Sequence, residues 1–259
     1  MSRTYKTTGI NLKAIPLGEA DRLITILTKE HGLIRVVAPG ARKQKNSLSP
    51  RSNLFVVNDL LIVAGRSLDK MIQAETKNVY GGLSKDLGKL TAGQYLAEIV
   101  ITHALNGQPQ EQLFELLTEH LRRIEALPLR ETPTLLAHLS QAVFHILALA
   151  GLSPQVQTCC LTQVQLIPDF SDPAWLVGFS SNAGGAISLA HLELGEPLPP
   201  QTLTALELSL MQQLAQPNLP QAFPDAPWRK IERLLRDYTQ YQLGRSLQSA
   251  SFIDTLIPQ

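Results

Sequence analysis

The chain has 259 residues, 44% of them apolar and 17% charged, with a formal net charge of +1. That length suits one large domain or two smaller ones around a buried core, and the apolar fraction excludes long disorder. The two cysteines are neighbours, Cys159 and Cys160. Adjacent residues rarely reach disulfide geometry, so a disulfide framework is excluded and a reducing cytoplasm is the expected home.

The opening residues, MSRTYKTTGINL, lack the apolar stretch of a secretory leader. Charge is unevenly spread. Residues 1–80 hold 13 Lys and Arg against 6 Asp and Glu, a net of +7, and the remainder carries −6. A basic front part on a near-neutral protein points to a polyanionic partner for that part. The same residues read as strands: TYKTTGINLKAI, LITILT, LIRVVA, NLFVVNDLLIVAG and DKMIQAETKNVY. Five β-rich runs with short connections predict a small closed barrel over residues 1–80, OB-type first and SH3-like as the alternative. Lys29 to Gly32, KEHG, reads as a tight hairpin turn.

Between the third and fourth runs lies GARKQKNSLSPRSN, residues 40–53. From His31 to Asn58 the chain carries Arg35, Arg42, Lys43, Lys45 and Arg51 and no acid. Gly40, Ser47, Ser49 and Pro50 predict an exposed loop, either a solvated basic turn or an anion-binding site. Aromatic residues are few in this part, only Tyr5, Phe55 and Tyr80. A strand of nucleic acid would therefore be held by its phosphates rather than by base stacking, without sequence preference. If each of the five bases neutralised one phosphate, the single-strand salt slope would be about −3.5.

After Gly81-Gly82 the apolar period becomes helical, and residues 81–259 read as a helical domain. LGKLTAGQYLAEIVITHAL and EQLFELLTEHLRRIEAL are followed by ETPTLLAHLSQAVFHILALAG, whose Thr132-Pro133 suits an N-cap and N1 and which stops at Gly151. The greasy stretch Leu135–Leu152 is interrupted by His138, Ser140, Gln141 and His145, which favours a core helix over a membrane span. Residues 153–192 are irregular, and Leu161, Val164, Leu166 and Trp175 are expected to pack that loop. Helical patterns return in TLTALELSLMQQLA and WRKIERLLRDYTQYQLG.

No phosphate loop, dinucleotide fingerprint, nucleophile elbow or HExxH is present. Glu119 and His120 share a helix with Arg122 and Arg123, which reads as a charged face. A hydrolase built on His138 or His145 would need a nucleophile and an orienting carboxylate that the sequence does not display. Zinc would need four suitable ligands, and the irregular segment offers Cys159, Cys160 and His191.

GEADRLITILTKEHGLIRVVAPGARKQKNS, residues 18–47, resembles the N-terminal signature of the bacterial RecO family of recombination mediators. LLRDYTQYQLGRSLQSASFIDTL, residues 234–256, resembles that family's closing helices. GLSP at 151–154 and FSSNAGG at 179–185 fall where the family has a zinc-finger-like insert. The resemblance implies an α+β multidomain protein: an OB fold followed by a helical domain with that insert at about 153–192. It implies no enzyme, but a protein of the bacterial cytoplasm and nucleoid that binds single- and double-stranded DNA and anneals complementary strands. With single-stranded DNA-binding protein and RecR, such proteins help load RecA. On this footing Arg42, Lys43 and Lys45, with Arg35 and Arg51, are expected to contact DNA. Arg22 and Lys29 belong to the same block, although Arg22 could equally pair with Glu19 or Asp21. Arg122 and Arg123 are candidates for an acidic, apolar partner tail such as that of single-stranded DNA-binding protein, or are a plain solvated face. Many members carry two CxxC pairs in the insert. Here they have become Cys159 with Thr162 and Ser188 with His191, so no zinc or other cofactor is expected. The main rival is an OB-fold adaptor that binds proteins and never touches DNA.

Overall fold

The computed structural model describes residues 4–191, 199, 201–219 and 225–256. Five strands open the chain: β1 (Thr4–Leu17), β2 (Asp21–Thr28), β3 (Gly32–Ala38), β4 (Val56–Val63) and β5 (Asp69–Val79), with a four-residue helix α1 (Leu48–Arg51) between β3 and β4. They close into a barrel in the order β1-β2-β3-β5-β4. All pairings are antiparallel except β3 with β5, where Val36 and Val37 meet Asp69 and Lys70 in parallel. This is the OB-type arrangement, not the SH3-like alternative.

Closure rests on β1, which is long enough to pair with β4 along its first half and β2 along its second. Gly9 pairs with both, and a Cβ there would sit 2.6 Å from Ile26 Cγ2. Only glycine allows so close an approach. Two residues later a bulge between Asn11 and Lys13 shifts the register and bends the strand. Alternation then sends Ile24, Ile26, Val36, Leu60, Ile62 and Met71 inward, where Ala41 and Leu48 join them from the β3–β4 connection.

That connection is tied down by two fully buried amides. Asn11 Nδ2 donates to the carbonyls of Arg51 and Asn53 at 2.8 Å each, and Asn58 Nδ2 donates to the Arg51 carbonyl at 3.0 Å. A corner of non-repetitive backbone over a barrel end has carbonyls to satisfy, and these side chains satisfy them.

A 3-10 turn at Gly81–Lys85 leads into α2 (Leu87–His103), followed by α3 (Glu111–Ala126). Asp86 caps α2 by accepting from Lys89 N at 3.0 Å, and the buried Lys89 ammonium donates to the carbonyls of Glu125 and Leu127 at the end of α3. These helices belong to the barrel's compact unit, which runs to Arg130 and takes in the residues from Leu247 onward. The secondary structure changes at residue 81, but the compact units part at Arg130. The returning segment is held by the Glu98 carboxylate, which accepts from Gln248 N (2.9 Å), Ser249 N (2.8 Å) and the Ser249 hydroxyl. Leu247, Ala250 and Ile253, the last in α7 (Ser251–Leu256), are buried.

The second unit, Glu131–Ser246, packs α4 (Thr132–Leu149) on α6 (Asp225–Leu243), with α5 (Ala205–Gln213) beside α6. Helix α4 starts one residue earlier than its sequence suggests, with Glu131 as N-cap and Thr132-Pro133 inside the first turn. It is long and apolar enough to cross a membrane by composition alone, yet 61% of it is buried inside the structure, as a core helix would be. The irregular segment holds two short strands, β6 (Leu176–Ser180) and β7 (Gly185–Ile187), and β8 (Gln201–Thr204) beyond it completes a sheet in the order β7-β6-β8. Strand β8 takes the residues TLT from the expected helix, and Thr204 then caps α5 in a capping box with Glu207. The expected packing of the insert needs correction. Leu166 is buried and Trp175 half-buried, but Leu161 and Val164 are exposed, and Val156 and Cys159 fill the interior instead.

Two variants test this anchoring. Asn11→Ala removes a fully buried amide and its two hydrogen bonds to the corner, and is expected to lower stability by about 2 kcal/mol, read from the urea midpoint. An unchanged midpoint would show that the corner holds itself. Lys29→Ala removes ion pairs to Glu111 and Glu115 of α3 and a cation contact on the Phe114 ring. Its expected cost is smaller, about 1 kcal/mol, because the pairs are solvated.

Candidate nucleic-acid interface

The basic stretch is not the free loop its composition suggests. Ala41 and Leu48 anchor it in the barrel core, and the helical turn α1 follows. Between the anchors Arg42, Lys43, Gln44 and Lys45 stand exposed. Two contacts fix where the stretch begins: Gly40 N donates to Asp21 Oδ1 at 2.7 Å, and Arg42 N to the Ala20 carbonyl at 2.9 Å. Asp21 thus holds the backbone of the stretch, and Lys45, at φ +68°, turns it.

The seven candidate bases divide by what each already does. Arg35, Lys43 and Lys45 are exposed and have no hydrogen-bond or ion-pair partner among the described residues. Arg42 is exposed but tethered, with Nη1 donating to the Gly18 carbonyl at 2.8 Å. Arg51 is half-buried; its Nη1 donates to the Ser47 carbonyl at 2.5 Å, closing α1. Arg22 donates from Nη1 to Ser52 Oγ and Asn53 Oδ1, both at 2.9 Å, rather than pairing with Glu19 or Asp21. Its place on β2 explains this, because it shares the inward phase of Ile24 and Ile26 and emerges at the barrel's end. Lys29 is spent on α3. Its ammonium is pushed up chiefly by the hydrogen bond to Glu115, at 2.9 Å, with Glu111 at 3.3 Å adding to it.

One base escaped the sequence reading. In the strand register Lys13 faces Thr25, and Thr25 faces Arg35. Ile24 and Val36 next to them point inward, so this row points out, carrying exposed Lys13 and Arg35 across the barrel wall. The bulge before Lys13 shifts the phase, so simple alternation along β1 does not reveal it.

The barrel's aromatics offer no stacking platform. Phe55 and Tyr80 are buried. Tyr5 is half-buried and donates its hydroxyl to Asp69; burial first, and then that carboxylate, push its phenol up. A strand on this surface would meet charge and not rings.

Away from the barrel, Arg122 and Arg123 on α3 converge on one acid. Arg122 Nε and Arg123 Nε lie 2.8 and 2.7 Å from Glu119, whose carboxyl is held down at about 2, mostly by the hydrogen bond from Arg122. In the insert, Cys159 Sγ accepts from Ser188 N at 3.2 Å. Burial pushes this thiol up, but hydrogen bonds from Thr162, Ser188 and Leu161 outweigh it and hold the thiol below its ordinary value. The neighbouring Cys160 is pushed the other way by burial. Around Cys159 the described residues bring Thr162 and the backbone N–H of Ser188, and the His191 side chain lies outside the described residues. No cluster of three His, Cys, Asp or Glu occurs among the described residues, around His138 and His145 included.

Residues 1–80 match the family described as Recombination protein O N terminal, and residues 84–251 match Recombination protein O C terminal. Relatives share identity end to end. The DNA repair protein RecO of Gloeothece citriformis is 56% identical, covering 100% of this chain and 99% of its own. That of Nostoc sp. strain PCC 7120 is 53% identical, with 98% and 97% covered, and that of Synechocystis sp. strain PCC 6803 is 45% identical, with 99% and 98% covered. The closed barrel, the helical part that follows it and these full-length matches agree, and the chain belongs to the RecO family of DNA repair proteins.

Proposed function

We propose that this protein mediates recombinational repair by binding single- and double-stranded DNA through the barrel and annealing complementary strands. The observation that carries the reading is the exposed basic surface of Lys13, Arg35, Arg42, Lys43 and Lys45, on a barrel whose aromatics are withdrawn. Phosphates carry no base identity, so binding is independent of sequence. Neutralising two strands lowers their repulsion while leaving their pairing edges free, and annealing follows from that physics. No catalytic constellation is needed, and the protein is not an enzyme on this reading. The insert works without zinc, its thiol held by N–H donors in place of a metal.

Loading RecA together with RecR and single-stranded DNA-binding protein fits the same role, as does work in the bacterial cytoplasm at the nucleoid. An acidic partner tail docking on Arg122 and Arg123 would have to displace Glu119 from both guanidinium groups. If it docks there, replacing both arginines with Ala is expected to weaken tail-peptide binding about tenfold, while unchanged binding assigns the tail to another surface.

The deciding experiment compares the unmodified protein with a variant carrying Arg42→Glu, Lys43→Glu and Lys45→Glu. Arg51 is committed to Ser47 and Lys13 takes its place, which leaves about five phosphates to neutralise and a single-strand salt slope of about −3.5. Reversal of three charges is expected to abolish annealing and flatten that slope. If DNA retention is the same for both proteins while partner binding changes, the barrel is a protein adaptor and the DNA reading falls.

A further inference from the structure

Arg22 and Arg42 come from different elements, yet they line one cleft of about 320 Å³ at the end of the barrel, with Ile15, Pro16, Ser52 and Asn53. No acid lines it. Both guanidinium groups are fixed on one side only. Arg22 uses both protons of Nη1 on Ser52 and Asn53, and Arg42 uses Nη1 on the Gly18 carbonyl. Nε and Nη2 of each, the edge that forks onto an oxyanion, have no partner among the described residues. The Lys43 and Lys45 side chains, in contrast, have no partner among the described residues.

We propose that this cleft is a phosphate clamp: a seat for one internal phosphodiester of a nucleic-acid strand, gripped by Arg22 and Arg42 together. The inference rests on the nucleic-acid reading above and gives it a fixed point. A guanidinium already held in place loses little freedom when it binds, and two of them present planar donor pairs that match phosphate geometry. The apolar wall of Ile15 and Pro16 takes the adjoining sugar, and the volume is enough for a nucleotide rather than a longer stretch. Lys43, Lys45 and Arg35 then act as diffuse charge, raising the encounter rate without setting position. Arg22 thus has two roles on one side chain, a latch to the β3–β4 corner and one jaw of the clamp.

The test is fluorescence anisotropy of the full chain with a labelled oligothymidylate over a salt series. Arg42→Lys keeps the charge and removes the fork; it is expected to weaken binding about tenfold at every salt concentration with the slope unchanged. Replacing Lys43 and Lys45 with Gln is expected to flatten the slope by about 1.4 and leave high-salt binding nearly intact. An unchanged thermal midpoint for Arg42→Lys shows that the fold is not the cause. If Arg42→Lys binds like the unmodified protein while the Gln variant flattens the slope, the clamp is overturned and DNA binding by diffuse charge stands. Absence of binding by the unmodified protein overturns both. A strand with and without a terminal phosphate separates the two phosphate sources, and an Arg42→Lys effect confined to the phosphorylated end would overturn the internal seat.

Discussion

Closing five short strands into a barrel leaves one connection that must cross an open end, and its backbone carbonyls have to be answered there. Asn11 on β1 and Asn58 on the adjoining β4 do this, with side chains that are fully buried. The rest of the basic surface depends on that pair. With the corner at Arg51–Asn53 fixed, Ser52 and Asn53 are in place to hold Arg22, and the chain upstream can anchor Ala41 and Leu48 in the core. Cationic residues that would repel one another in an unstructured loop are thereby kept at set positions. The cost is two amides in the interior, which the hydrogen bonds offset.

Fixed and mobile charge are separated within a few residues. Arg22, Arg42 and Arg51 each give part of a guanidinium to the protein's own oxygens, whereas the side chains of Lys43, Lys45, Arg35 and Lys13 have no partner among the described residues. Arginine suits the first task because its planar donors can serve a backbone carbonyl on one side and remain available on the other. Lysine suits the second, being a hydrated point charge on a flexible stem. The net charge of +1 conceals this division, since the acids that balance it lie mostly outside the barrel.

Much of this was legible in the sequence. The strand runs, the KEHG turn and the acid-free stretch are local signals, and they correspond to β1–β5, the β2–β3 turn and the exposed bases. Individual roles were not legible, because they are set by partners far away in sequence. Lys29 looks like its basic neighbours until Glu111 and Glu115 are seen beside it. Arg22 follows two acids in GEADR and binds neither. Lys13 is hidden by a bulge that no composition reveals. The short strands β6–β8 lie among prolines and glycines and are too brief to leave an alternating pattern.

The residues from Leu247 onward return to the barrel's unit, where Glu98 holds their backbone. The second unit is thus an insertion within the first. A ribosome making this chain releases the barrel and its two helices early, but their last buried side chains, Leu247, Ala250 and Ile253, arrive only after the whole bundle has been synthesised. Domains that fold during synthesis generally do so in order from the N-terminus. Here the order is inverted for completion: the unit that begins first finishes last, and until then α2 presents an uncovered apolar face to the cell's chaperones.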